Sequence, residues 1–235
     1  MSLDFIQKYP FILAFFFGLI PALVWLWFWL KEDTHPESAR MITLSFLGGM
    51  TAVIFVLPLE QLVFDSIGSQ NNLAFTIWAG IEEIFKFALV YFIALQNKNI
   101  ADEPVDDIIY LIISALGFVT FENTLFLIDP VRTGNLVDTI VSGNLRFVGA
   151  SLLHIVSSGT VGIFMGLSFY KSRGKKWLYL ILGMLLAIAL HTAFNLFIMS
   201  DARINIFLIF GFVWIGIIVL LLLFEKVKLV KNFQT

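Results

Sequence analysis

Cysteine is absent from the 235 residues, which removes disulfides, thiolate zinc sites and a cysteine nucleophile from consideration. Charge is scarce as well. Asp, Glu, Lys and Arg make up 14% of the chain, where globular domains carry about a quarter. There is no basic tract and the formal charge is −2, so no nucleic acid is expected as a partner. Repeats, linkers and low-complexity tracts are also missing. What is present is apolar: 59% of the residues are hydrophobic, in long runs. Such a composition belongs to a membrane protein whose first partner is the lipid bilayer. One integral membrane domain over residues 1–235 is expected, with no soluble domain.

Seven runs are long enough to span a bilayer, at about 11–30, 41–64, 73–95, 108–128, 145–170, 177–199 and 204–224. The expected fold is therefore all-α, a polytopic transmembrane helical bundle of about seven spans. The first run is expected to stay as a span, because it is long, Asp4 precedes Lys8 and no small-residue cleavage site follows. Trp25, Trp27 and Trp29 crowd its far end in the manner of an interfacial belt, with Lys31 just beyond. In the second run Gly48 and Gly49 mark a close-packing point, and Pro58 a kink or an end. A short amphipathic piece at 136–141 is expected at the interface.

Seven spans put the chain ends on opposite sides, and the basic residues then sort unevenly. Lys31, Arg40, Lys98, Lys171, Arg173, Lys175, Lys176, Lys226, Lys228 and Lys231 share one side; Lys8, Arg132, Arg146 and Arg203 share the other. The positive-inside rule makes the richer side cytoplasmic, with the C-terminus there and the N-terminus outside. A multi-pass protein of the plasma membrane is expected.

The third run breaks the pattern. Glu82, Glu83 and Lys86 sit in its middle, where each charge costs roughly 2.5–3.5 kcal/mol. Lys86 lies four residues after Glu82 and three after Glu83, within reach of either. The helix thus carries one plausible ion pair and one spare carboxylate. With the directions fixed by seven spans, Glu122 of the fourth run, His154 of the fifth and His191 of the sixth arrive at a similar depth in the outer half. Carboxylates and imidazoles gathered out of water suit water activation: a carboxylate as general base, a histidine to hold an oxyanion or shuttle the proton. Two histidines with a glutamate are also a zinc donor set, here Glu83, His154 and His191, although HExxH spacing is missing. A plainer reading exists for each residue. A glutamate with Lys86 can be a structural pair, and Glu122 with Asn123 can hydrogen-bond a neighbouring helix. His154 heads the four-spaced series Ser158, Gly162 and Gly166, which reads first as helix packing. His191 and Asn195 form a polar pair one turn apart. A proton-coupled transporter running a Glu/His relay is the alternative function.

Four short motifs carry a family resemblance. Glu82-Glu83-Ile84-Phe85-Lys86 matches an EExxK motif, and Gly117 to Asn123 resembles GFxxxEN, with Asp106 and Tyr110 as its lead-in. Arg146 to His154 with Ser158, Gly159 and Gly162 resembles a third, and His191 to Asn195 a fourth, of HxxxN form. In this order they are similar to the PrsW family of intramembrane proteases and its CAAX prenyl-protein endopeptidase relatives. The loop Asp33-Thr34-His35-Pro36-Glu37 is similar to the family's acidic-proline segment. Phe126 and Asp107 depart from the usual Tyr and Gly. The motif-bearing core is about 73–199. The resemblance implies a glutamate-type peptide hydrolase that cuts a single-pass membrane protein near the outer leaflet, typically an anti-sigma factor. It implies Glu82 or Glu83 as the base with its partner on Lys86, Glu122 orienting water or histidine, and His154 and His191 binding oxyanion or water. Asn123, Asn195 and Arg146 are supporting. No cofactor is required on this reading, with zinc as a possibility; the oligomeric state stays open.

Overall fold

The computed structural model describes residues 9–68, 71–134, 149–199 and 206–231. Among them are seven α-helices and no strand: α1 (Pro10–Glu32), α2 (Ala39–Ile67), α3 (Asn72–Val90), α4 (Asp106–Arg132), α5 (Ala150–Leu167), α6 (Arg173–Met199) and α7 (Ile206–Lys228). Six are long and apolar enough to cross a membrane. The exception is α3, which carries Glu82, Glu83 and Lys86 in its middle, and a π-helical turn, Tyr91–Leu95, extends it to the length its apolar run predicts. The molecule is an all-α polytopic bundle. Arg146 and the 136–141 piece lie outside the described residues.

The bundle is built around α4, whose residues from Asp106 to Thr120 are all buried. A helix apolar on every side has to be central. α1, α2 and α5 pack on it, α3 bridges α2 and α6, and α6 and α7 lie against α5. A Cβ on Gly49 would stand 1.9 Å from the Ser114 carbonyl oxygen, and one on Gly117 would stand 1.9 Å from that of Phe46. α2 and α4 therefore meet backbone to backbone, as small residues permit in membranes. On α5, a Cβ on Gly162 would reach 2.5 Å from Ile108 Cα, so the small-residue stripe below His154 seats α5 on the start of α4.

Packing narrows one sequence expectation and overturns another. Pro58 does not end the second span: α2 runs through it to Ile67. The proline frees a carbonyl one turn back, which membrane helices tolerate. Just beyond it, Trp78 Nε1 on α3 donates to the Glu60 carbonyl at 3.1 Å, tying that turn to its neighbour. The three tryptophans do not act as one belt. Trp27 is exposed with Lys31 over its ring at 4.0 Å, whereas Trp29 is buried, its ring edge-on to Phe224 of α7 at 5.6 Å. Trp25 stands edge-on to Trp214 at 6.4 Å. Helical rotation by about 100° per residue cannot hold three alternate positions on one lipid-facing edge.

Candidate active site

Glu82 and Glu83 lie about 15 Å along α3 from its start, which Asn71 caps by accepting from Leu73 N at 2.9 Å. One turn further, the fully buried Lys86 ammonium stands 2.5 Å from Glu83 Oε1 and 2.9 Å from His154 Nδ1 on α5. Glu83 collects more donors. Ser157 Oγ donates to its Oε1 at 2.8 Å, Ser158 Oγ to its Oε2 at 2.9 Å, and His191 Nδ1 on α6 to its Oε1 at 2.9 Å. Residues from three helices thus hold this one carboxylate, with charge-assisted bonds from Lys86.

Glu82 is placed quite differently. It is 6% exposed, yet its Oε2 has no hydrogen-bond partner. That oxygen faces His191 Nε2 at 3.7 Å and His154 Nδ1 at 3.9 Å. On the far side of His154, Nε2 lies 3.1 Å from Glu122 Oε2 on α4. The donor inventory fixes the tautomers. An ammonium can only donate, so His154 Nδ1 accepts from Lys86 and its proton sits on Nε2, donated to Glu122. A carboxylate accepts, so His191 carries its proton on Nδ1 and turns Nε2 toward Glu82.

A cavity of about 610 Å³ covers this group. Glu82, Glu122, His154, His191 and Asn195 line it, and Phe64, Phe75, Trp78, Phe126 and Ala150 wall it. Those wall residues come from the end of α2, the start of α3, the end of α4 and the start of α5, so the cavity reaches that end of the bundle. The structure thus brings Glu82, Glu83, Lys86, Glu122, His154 and His191 into one cluster, with Asn195 one turn away. Asn123 is buried and does not line the cavity.

The family model described as PrsW family intramembrane metalloprotease matches residues 37–224. The chain belongs to the PrsW family. It is 28% identical over 192 residues to a Protease PrsW of Geobacillus kaustophilus, covering 79% of this chain and 80% of that one. Protease PrsW of Clostridioides difficile is 29% identical over 208 residues (85% and 84%), and that of Halalkalibacterium halodurans 27% over 231 (92% and 96%). No solved structure gives a significant match. This PrsW-family protein is accordingly an intramembrane protease, a peptide hydrolase carried by a multi-pass membrane bundle.

The family's description raises the question of a metal, and the residues can be tested for it. Glu82, His154 and His191 offer ligand atoms within 4.8 Å of one another, an O/N/N set of the kind zinc takes. The unpartnered Glu82 Oε2 is aimed at the two histidines, and Glu83 holds His191 by Nδ1 with Nε2 inward, as carboxylates do behind metal-binding imidazoles. The set fits. It differs from the expected one, because Glu83 is committed to Lys86, Ser157, Ser158 and His191 and Glu82 takes its place. His154 would have to release Lys86 or Glu122 in order to ligate.

Around the PrsW-family motifs, Ser157 and Glu60 escape a reading of the sequence, and the bond from Ser158 to Glu83 escapes it although Ser158 stands in the third motif. Ser157 and Ser158 look like packing residues until Glu83 is seen between them. Glu60 lies within hydrogen-bonding reach of Glu82 and lines the same cavity; an ionisable residue two places after Pro58 in an apolar run was its signal. The other family segments meet about 18 Å along α4 from Glu122. There Tyr110 donates its hydroxyl to Glu37 Oε2, and Asp106 Oδ2 accepts the backbone N–H groups of Asp102 and Glu103 at 2.8 and 2.7 Å. Burial pushes the Glu37 carboxyl above its ordinary value, against the lowering effect of the Tyr110 bond.

Proposed function

We propose that this site hydrolyses a peptide bond of a single-pass membrane protein near the outer leaflet, with Glu82 as the general base. The observation that carries the reading is the buried Glu82 Oε2, which lacks a partner and faces two histidines at the floor of a cavity. Glu82 Oε2 and His191 Nε2 are two acceptors turned on the same space, and a water there would direct its O–H bonds at them. Glu82 takes one proton as the water oxygen attacks the scissile carbonyl carbon. His154, held by Lys86 at Nδ1 and donating its Nε2–H to Glu122, walls the site, and the Asn195 amide lining the cavity is the donor available to the oxyanion. The proton held by Glu82 passes to the departing amide nitrogen, and the C–N bond breaks. Glu83 does no proton transfer in this scheme; it fixes Lys86 and His191. A zinc ion bound by Glu82, His154 and His191 would supply Lewis acidity toward the carbonyl and the water.

The placement follows from charge and direction. Ten basic residues against four make the loops after α1, α3, α5 and α7 cytoplasmic. The cavity reaches the opposite end, which is then the outer face of the cell membrane. A single-pass anti-sigma factor, cut first at this boundary, is the substrate that the family resemblance favours. Purified protein mixed with a single-pass reporter tests the reading. Cleavage near the reporter's outer membrane boundary is expected, and Glu82→Gln should abolish it. Loss on chelation with recovery on added zinc would place a metal in the reaction; indifference to chelator would leave it to the glutamate. Failure of the folded wild-type protein to cut any single-pass reporter, or full activity in the Glu82→Gln variant, overturns it.

A further inference from the structure

The end of the bundle opposite the cavity gathers positive charge that the fold does not match. α6 opens with Arg173, Lys175 and Lys176 and has no acidic residue in its first turn, the reverse of what the positive end of a helix dipole favours. Lys171 precedes them in the turn from α5, and Lys98 joins them from the turn after α3. Among the described residues none of these five stands in a salt bridge.

Two of the five are drawn together. Lys98 Nζ lies 4.8 Å from the centroid of the Phe169 ring, and Lys176 Nζ lies 5.3 Å from the same centroid. The buried Asp107 is the carboxylate that both act on, so one negative charge answers two ammoniums. The positive-inside rule asks only that basic residues lie on this side; it gives no reason for like charges to converge on one ring. Lys228, on the same side, is met by Glu225 at 2.6 Å and Glu32 at 3.8 Å.

The surroundings set the depth. Tyr170 and Trp177 are exposed within the cluster, as aromatic residues are at the headgroup level of a bilayer. From there Leu178, Ile181, Leu182 and Leu185 continue as an exposed stripe along α6, at the spacing of one helical face.

We infer that this is a docking site for an acidic phospholipid, with its phosphate against Lys98 and Lys176 and its acyl chains along the exposed stripe of α6. Basic clusters beside a span hold anionic headgroups in this way. Lys98 follows α3 and Lys176 begins α6, so the headgroup ties together the two helices that carry Glu82 and His191. The inference concerns lipid alone and is independent of the hydrolase reading.

The test uses full-length protein in neutral detergent. The probes are dioctanoyl phosphatidylglycerol, the matching phosphatidylcholine and inorganic phosphate, and the readouts are native mass spectrometry and thermal unfolding. Phosphatidylglycerol should stay bound and raise the melting temperature, and the other two should do neither. The double variant Lys98→Gln, Lys176→Gln should bind it about thirtyfold more weakly, the worth of two lysines near a headgroup. Each single Gln variant should lose about fivefold, which serves if the double variant does not fold. Lys98→Arg, Lys176→Arg should retain binding, as should the control Lys226→Gln, Lys231→Gln, which removes two charges from the same side. Undiminished binding in the Gln variants, an equal loss in the control, or no preference for phosphatidylglycerol over phosphatidylcholine overturns the inference. An equal response to inorganic phosphate also overturns it, by making the site one for a free anion.

Discussion

Glu82 and Glu83 are adjacent, and the same substitution should affect them differently. Glu83→Gln leaves the buried Lys86 ammonium without its counter-charge, a loss of about 3–5 kcal/mol by the usual cost of breaking a buried pair. Glu82→Gln removes a carboxylate whose Oε2 bonds to nothing, so stability should hold within about 1 kcal/mol or rise. Both should stop cleavage. Lys86→Met should fall like Glu83→Gln, and the double variant Lys86→Met, Glu83→Gln should recover folding without turnover. Thermal unfolding in detergent separates these outcomes; equal melting points for the two Gln variants would remove the distinction between the glutamates. Which glutamate is paired could not be read from the helix, since Lys86 at three and four residues reaches both. The decision is made 74 and 75 residues away, by Ser157 and Ser158 on α5. That the pair of glutamates, Glu122 and the two histidines belong together was legible, because charges in apolar runs are few and the alternation of spans sets their depth.

At the scale of helices, hydrophobic runs announced the elements, and packing decided their details. Length and apolarity gave each helix nearly its observed extent. They left open whether Pro58 ends α2, and could not show that Trp29 turns inward to Phe224 while Trp27 is exposed, because both depend on which helix lies alongside. The glycines divide in the same way. Gly49→Val would push a side chain into the Ser114 carbonyl, where a Cβ alone already stands at 1.9 Å, and should separate α2 from α4 and lower the melting temperature sharply. Gly80→Ala places its methyl 3.8 Å from Ile188 Cδ1, an ordinary contact, and should stabilise α3 by about 0.5–1 kcal/mol through helix propensity. Thermal unfolding of the two variants checks the contrast; a tolerated Gly49→Val would mean that α2 and α4 are not held in backbone contact.

For the molecule as a whole, the charges of α3 bear on how the chain is made. Synthesis runs from the N-terminus, so α3 reaches the insertion machinery before most of what makes its middle tolerable. Lys86 and Glu83 can neutralise each other within the helix, but Ser157, Ser158, His154 and His191 follow on α5 and α6. Until they arrive, each unmatched charge carries its cost of roughly 2.5–3.5 kcal/mol at mid-helix. A chain stopped after Arg132 should therefore leave α3 partly uninserted. A cysteine placed in the 96–105 loop, convenient because the native chain has none, should be labelled from both sides in the truncated form and from one side in the full chain. One-sided labelling of both forms would show that α3 needs no later help. With the dependence in place, retention of the third helix becomes a checkpoint on biogenesis. A nascent protease whose α5 and α6 have not docked lacks not only its histidines but also a settled topology, and is exposed to quality control before it can cut anything.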